Sequence, residues 1–235
     1  MKTIVYTICK NEAQFAERFM SSCSGADGVY VLDTGSTDGT PELLRALGAH
    51  VETAIIDPWR FDVARNVSLK MLPEDADVCI CLDLDEVLNG GWREALEAAW
   101  TTGVTRARYT YVWSHTPDGG DGVVFFADKI HSRHGYRWTH PVHEVLTPDR
   151  AESCITVPAL RVEHWPDSSK SRGQYLPLLE LSAAEDPDDD RNMHYLGREY
   201  MFHGRWGDAM ATLMRHLSMP TATWAAERAA SMRYI

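Results

Sequence analysis

The chain has 235 residues, long enough for one large domain or one domain with a small appendage. A hydrophobic fraction of 44% beside 24% charged residues is ordinary for a soluble globular protein, and no apolar stretch approaches the ~20 residues of a membrane span. The net charge of −11 argues against a general affinity for nucleic acid or anionic membrane, while leaving room for a local basic groove. Residues 1–6 hold too short an apolar run for a signal peptide and read as a first strand, so the expected location is cytoplasmic. The five cysteines (Cys9, Cys23, Cys79, Cys81, Cys154) lack CxxC spacing, which indicates neither a disulfide framework nor a zinc site.

Residues 3–9 (TIVYTIC) are β-branched and aromatic and predict strand one, with Asn11 and Glu12 after its end. Phe15, Phe19 and Met20 give helical spacing to about Ser22. Residues 28–32 predict strand two, ending at Asp33 before the turn-rich loop 34–41. A helix carrying Leu43, Leu44 and Leu47 follows, with Gly48 as its stop, and then a third strand over 51–56. Alternating strand and helix with acids at strand ends describes a doubly wound nucleotide-binding half. In such folds an acid after strand two holds a ribose hydroxyl, which makes Asp33 a binding candidate; as a plain turn-former it would only shape its loop. No GxGxxG follows strand one, which counts against a dinucleotide dehydrogenase.

Residues 59–72 predict a helix with Phe61, Ala64, Leu69 and Leu72 on its core face. Asp62 and Arg65, three apart, are expected as neighbours on one side, and as an exposed pair they would contribute little. The apolar run from Val78 then breaks into Asp83, Asp85 and Glu86. It reads as a strand buried on both faces whose acids fall at its carboxyl end, where open α/β sheets bind ligands. In extended chain Asp83 and Asp85 point the same way and can share one hard cation.

A helix is expected over 92–100 and a strand over 106–115. Asp118-Gly119-Gly120-Asp121-Gly122 signals a turn into a return strand at 123–126, so the sheet becomes antiparallel in its second half. Residues 136–144 crowd aromatic and titratable groups, including His143 and Glu144, and residues 155–164 form a strand ending at His164. A histidine there is structural unless it converges with Asp85. From Ser171 the composition turns helical. Met193, Leu196, Gly197 and Tyr200 stand where tetratricopeptide repeats carry W-x-x-L-G-x-x-Y, with Ala209, Leu213 and Pro220 near the later positions. About one repeat cannot bury its own faces, so either the helices pack on the preceding domain or the natural chain continues beyond Ile235.

Ile8-Cys9-Lys10-Asn11-Glu12, the block Asp33-Thr34-Gly35-Ser36-Thr37-Asp38-Gly39-Thr40, Trp59-Arg60-Phe61-Asp62 with Ala64-Arg65-Asn66, and Leu82-Asp83-Leu84-Asp85-Glu86 occur in an order that resembles the family 2 glycosyltransferases. The likeness is greatest to the bacterial and phage branch with tetratricopeptide helices behind the catalytic domain, which includes enzymes that glycosylate peptides and proteins. The resemblance implies an α/β GT-A domain, nucleotide-binding, Rossmann-like and with a mixed sheet, over residues 1–170. A small helical tetratricopeptide-like hairpin would occupy 171–235. It further implies that Thr7, Glu12 and Asp33 line a nucleotide pocket and that Asp62 and Arg65 contact the base or diphosphate. Asp83 and Asp85 would be its DxD motif, Asp85 binding the metal and Asp83 facing the ribose or the metal's shell. His164 would complete the metal site, an imidazole among carboxylates favouring Mn²⁺ over Mg²⁺. Glu144 would be the catalytic base. The donor implied is a nucleoside-diphosphate sugar, UDP being the commonest, and the acceptor a protein, peptide or glycan.

Three other readings are distinguishable. A nucleotidyltransferase would need a Gly- and Lys-rich phosphate loop near strand one, which Lys10-Asn11-Glu12 does not resemble. A non-catalytic helical-repeat interaction protein sits poorly with an intact DxD. A glycosyltransferase acting on a modified nucleic-acid base is disfavoured by the negative charge.

Overall fold

Strand β1 (Thr3–Cys9) is buried at every position and lies inside an eight-stranded sheet, third from one edge. Its side chains alternate between two cores. Val5 and Cys9 join Phe19, Leu44, Leu82 and Leu96 on one face, while Ile4 and Tyr6 join Leu69, Leu72 and Trp138 on the other. A strand covered on both faces has no polar alternation, which is why 3–9 reads as a near-continuous apolar run. The computed structural model describes residues 1–167, 170 and 173–235 and divides into two units. The first comprises Met1–Thr139 and Val145–Ser168, the second His140–Glu144 and Ser169–Ile235. The sequence-based division at 170/171 has its second residue, Ser171, outside the described residues.

In the first unit α1 (Ala13–Ser22), β2 (Gly28–Asp33), α2 (Thr40–Ala46), β3 (His50–Thr53), α3 (Phe61–Lys70) and β4 (Val78–Cys81) alternate as expected. The third strand stops at Thr53, short of the expected Ile56. β5 (Glu86–Leu88), α4 (Trp92–Ala99), β6 (Arg106–Val112), β7 (Val124–Ser132), β8 (Tyr136–Thr139), β9 (Val145–Pro148) and β10 (Cys154–His164) complete it. The sheet order is β3-β2-β1-β4-β7-β6-β10-β5, with β8 and β9 as a separate hairpin. β1, β2, β3 and β4 are parallel; β7 is antiparallel to β4 and β6; β10 is parallel to β6 and antiparallel to β5. This is a mixed, Rossmann-like α/β sheet, consistent with a GT-A domain.

The return strand β7 is longer than its apolar start predicts, running nine residues to Ser132. Its second half enters the core, where His131 is fully buried. The Trp138 indole N–H donates to Tyr6 Oη at 2.9 Å, and Tyr6 Oη lies 2.8 Å from His131 Nε2. With Nδ1 donating to the Ser132 carbonyl at 2.8 Å, His131 fits this chain as a neutral ring, and burial pushes it down to about 4. All five cysteines are free thiols.

The second unit contains α5 (Tyr175–Glu185), α6 (Asp190–Phe202), α7 (Trp206–Ser218) and α8 (Ala225–Tyr234). Asp189 caps α6, its carboxylate accepting the Asn192 N–H at 2.9 Å. α6 packs on α7 at Gly197, where an added Cβ would lie 2.6 Å from Leu213 Cγ. Ser231 Oγ in α8 lies 2.8 Å from His194 Nδ1 and 2.9 Å from His216 Nδ1, joining α6, α7 and α8. Among the described residues no helix is long and apolar enough to cross a membrane.

Candidate nucleotide and metal site

The chain leaves β1 to one side through β2 and β3, then returns to place β4 on its other side. The carboxyl ends of β1, β2 and β4 therefore border the switch point where doubly wound sheets bind ligands. Thr7 is fully buried inside β1, its hydroxyl donating to the Ile8 carbonyl at 3.1 Å. Glu12 is 5% exposed at the start of α1, and its backbone N–H donates to Thr40 Oγ1 at 2.8 Å. Asp33 ends β2 and accepts the backbone N–H groups of Gly35 and Ser36 at 3.2 and 3.1 Å. Its carboxylate thus shapes the loop that follows, the turn-forming role named above. Gly35 has φ +101°, a left-handed backbone that favours glycine; the one atom near a would-be Cβ is the tip of the exposed Ile55.

The expected Asp62–Arg65 pairing is corrected by the structure. Both residues are buried, at 8% and 3% exposure, and each turns to another partner. Arg60 Nε and Nη2 donate to Asp62 at 3.0 and 2.9 Å, across only two residues of the extended helix entry. Arg65 donates from Nη2 to Asp83 Oδ1 and from Nη1 to Cys81 Sγ at 3.3 Å, with its guanidinium 5.4 Å over the Trp138 ring. The i,i+3 rule describes an exposed helix face; here the sheet edge beneath α3 supplies the stronger partner.

A second correction concerns the two DxD acids. The chain is not extended there: the Glu86 N–H donates to the Asp83 carbonyl at 3.0 Å, closing a turn between β4 and β5. Asp83 and Asp85 consequently face different partners. Asp83 meets Arg65 and, at 3.7 Å, Lys129 Nζ. Burial opposes its charge, yet those two cations outweigh it and hold the carboxyl well below the usual range. Beside it Glu86, 1% exposed, takes Lys129 Nζ at 2.9 and 3.1 Å, the Tyr111 hydroxyl at 2.7 Å and the Asp83 N–H at 2.9 Å. Burial alone would lower Lys129; the carboxylates of Glu86 and Asp83 raise it instead, so it stays charged.

Asp85 turns to the other side. β5 and β10 pair antiparallel with Glu86 opposite His164, and the Trp165 N–H donates to the Asp85 carbonyl at 2.8 Å. That register sets Asp85 Oδ2 3.5 Å from His164 Nε2. His164 Nδ1 lies 3.1 Å from the Trp113 carbonyl, which fixes that nitrogen as the donor and leaves the Nε2 lone pair toward the carboxylate. Burial opposes protonation of His164, but the Asp85 carboxylate raises its pKa overall. An imidazole held by a carbonyl and aimed beside a carboxylate is a donor set that fits a divalent cation such as Mn²⁺.

Glu144 groups with the second unit, in the loop of the β8–β9 hairpin. Its neighbour His143 has φ +51°, and His140 has φ +74°, two left-handed non-glycine residues in five. The His143 ring stacks on Tyr195 at 4.1 Å, and its carbonyl accepts from Arg191 Nη1 at 2.7 Å. Lys129, Tyr111 and the buried role of Glu86 were missed by sequence reasoning. Lys129 lies beyond the apolar start of β7, where the return strand was expected to have ended. The one available signal was Tyr109 and Tyr111 alternating in register on β6.

No family model and no curated protein sequence matches the chain. Among solved structures it is similar to glucosyl-3-phosphoglycerate synthase from Mycobacterium tuberculosis, crystallised with Mn²⁺, UDP and phosphoglyceric acid. That match has 23% identity and a TM-score of 0.40, and covers 47% of this chain and 43% of the synthase. The same synthase with Mn²⁺, UDP-glucose and phosphoglyceric acid matches at 23% identity, a TM-score of 0.40 and the same coverage. A crystal structure described as a mycobacterial protein matches at 16% identity and a TM-score of 0.49, over 72% of this chain and 68% of that one. The chain thus spans less than half the length of the synthase.

Proposed function

We propose that the protein is an inverting glycosyltransferase that moves a sugar from a nucleoside-diphosphate donor, UDP-linked on the resemblance, to an acceptor hydroxyl on a protein, peptide or glycan. The observation that carries this reading is Asp85 Oδ2 3.5 Å from a His164 whose other nitrogen is fixed by a carbonyl, directly after the switch-point strand β4. Asp85 and His164 would hold Mn²⁺ or Mg²⁺, and the cation would neutralise charge on the departing diphosphate. Asp83, kept ionised by Arg65 and Lys129, orients the turn that presents Asp85 and offers an acceptor for a ribose hydroxyl. Thr7, Glu12 and Asp33 border the nucleotide at the ends of β1 and β2, and Asp62 with Arg65 supports its base or diphosphate side.

Glu144 is assigned as the base on the resemblance. It takes the proton of the acceptor hydroxyl as that oxygen bonds to the anomeric carbon; the bond to the diphosphate oxygen breaks and the electron pair leaves with the nucleoside diphosphate. The pairing of α6 with α7, close enough at Gly197 to exclude a Cβ, supports the reading of this hairpin as tetratricopeptide-like. The test is release of nucleoside diphosphate from a panel of nucleotide sugars with and without Mn²⁺. Release only with metal, abolished in Asp85→Asn, is expected, and with acceptor present Glu144→Gln should slow transfer while sparing donor binding. Pyrophosphate released from a nucleoside triphosphate and a sugar 1-phosphate, with no nucleoside diphosphate released from the nucleotide sugars, would make the protein a nucleotidyltransferase. Wild-type transfer by Glu144→Gln would remove the base assignment.

A further inference from the structure

The second unit holds a set of metal-ligating groups that the proposed transfer does not use. Asp190 lies in the first turn of α6, Glu227 in the first turn of α8 and His216 in the last turn of α7. One ligand atom from each lies within 4.8 Å of the others. We propose that Asp190, His216 and Glu227 bind one divalent transition cation of the zinc class, which clips the three helix ends together.

Helix dipoles explain acids in first turns and a histidine in a last turn when those ends face water. They do not explain the burial. His216 is fully buried and Glu227 is 7% exposed, and His216 Nε2 and Glu227 Oε1 are buried atoms with no hydrogen-bond partner. Buried polar atoms in folded proteins are paired, and two orphans on different helices, in residues whose ligand groups gather with the Asp190 carboxylate, are what a cation would satisfy together.

The proton arrangement suits ligation. Ser231 Oγ has a single proton and touches both His216 Nδ1 and His194 Nδ1, so it donates to one ring and accepts from the other. With His216 Nδ1–H donating to Ser231 and the Ser231 hydroxyl donating to His194, the His216 Nε2 lone pair is left free for a cation. A hydrogen-bond partner on the far ring nitrogen that fixes the tautomer is a recurring feature of histidine ligands. One imidazole and two carboxylates match the nitrogen and oxygen donors of zinc sites with three protein ligands, leaving a position for water. Tetrahedral zinc places ligand atoms about 3.4 Å apart, a small side-chain adjustment from the spacing here.

The test uses the full chain carrying Asp85→Asn, which removes the carboxylate of the other candidate pair. After chelator treatment, titration calorimetry with Zn²⁺ and visible absorption with Co²⁺ should both report one equivalent bound. The melting midpoint should rise with Zn²⁺. Adding Glu227→Gln, which preserves size and shape, should abolish the equivalent, the Co²⁺ bands and the rise, with helicity by circular dichroism unchanged; Asp190→Asn should act in the same sense. No stoichiometric binding by the Asp85→Asn protein, or unchanged binding after Glu227→Gln, would overturn the proposal.

Discussion

Lys129 and Glu86 form an ion pair beside the candidate site whose acid is almost wholly buried. Glu86 is 1% exposed and Lys129 Nζ approaches both of its oxygens, so removing the lysine leaves a buried carboxylate without its cation. Breaking a buried pair from one side typically costs about 3–5 kcal/mol. Lys129→Met should therefore lower unfolding free energy by about 3 kcal/mol in denaturant titration, near the bottom of that range because the lysine side chain is 22% exposed. Lys129→Met combined with Glu86→Gln should recover most of the loss, since the amide oxygen can accept the Asp83 N–H in place of Oε2 while the amide N–H donates to the Tyr111 hydroxyl. An uncompensated double mutant would mean that packing of the lysine stem, not charge, sets the cost. At this scale the sequence was informative about acids and poor about cations. Asp83, Asp85 and Asp33 stand out because they end apolar runs, whereas Lys129 and Arg65 acquire partners through sheet order and packing that no local pattern encodes. Arg65 reaches Asp83 from α3, eighteen residues earlier in the chain.

The strand and helix alternation through β4 follows from buried apolar runs and turn residues, and the structure reproduces it with small boundary differences. The β8–β9 hairpin was not legible, because its strands are four residues each and the loop between them, His140-Pro141-Val142-His143-Glu144, carries no glycine, asparagine or aspartate to signal a hairpin turn. The same limit hid the Asp83–Glu86 turn, since Leu82, Leu84, Val87 and Leu88 continue the apolar pattern through it. Among the helices, Gly197 shows how an element's sequence can oppose local propensity for the sake of packing. Alanine in mid-helix is favoured over glycine by about 1 kcal/mol. Here its Cβ would lie 2.6 and 2.7 Å from Leu213 Cγ and Cδ2 and 3.3 Å from the Leu213 backbone nitrogen, so α6 and α7 would have to separate. Gly197→Ala should destabilise by about 1–3 kcal/mol in a thermal melt despite its helix propensity, as overpacking does. Adding Leu213→Ala, which removes both clashing carbons, should make Gly197→Ala cost less in that background than in the wild type. A stabilised Gly197→Ala protein would show that the interface accommodates a methyl group.

For the whole molecule, the account turns on the first unit recognising a nucleoside diphosphate through a cation. Acids at the ends of parallel strands, a switch point at β1 and the Asp85–His164 pair each bear on that one claim. A ligand bound only by the folded state raises stability by RT ln(1 + [L]/Kd), about 2.7 kcal/mol at a hundredfold excess over Kd, which is readily visible in a melt. The deciding measurement is the melting midpoint with UDP, GDP, CMP and dTDP, each with and without Mn²⁺, in the wild-type and Asp85→Asn proteins. Because the second unit has its own proposed cation site, the quantity read is the nucleotide-dependent increment at fixed Mn²⁺. The account predicts an increment for one nucleoside diphosphate, present only with Mn²⁺ and absent in Asp85→Asn. No increment with any nucleotide far above plausible Kd values, or an increment that survives Asp85→Asn, would contradict it.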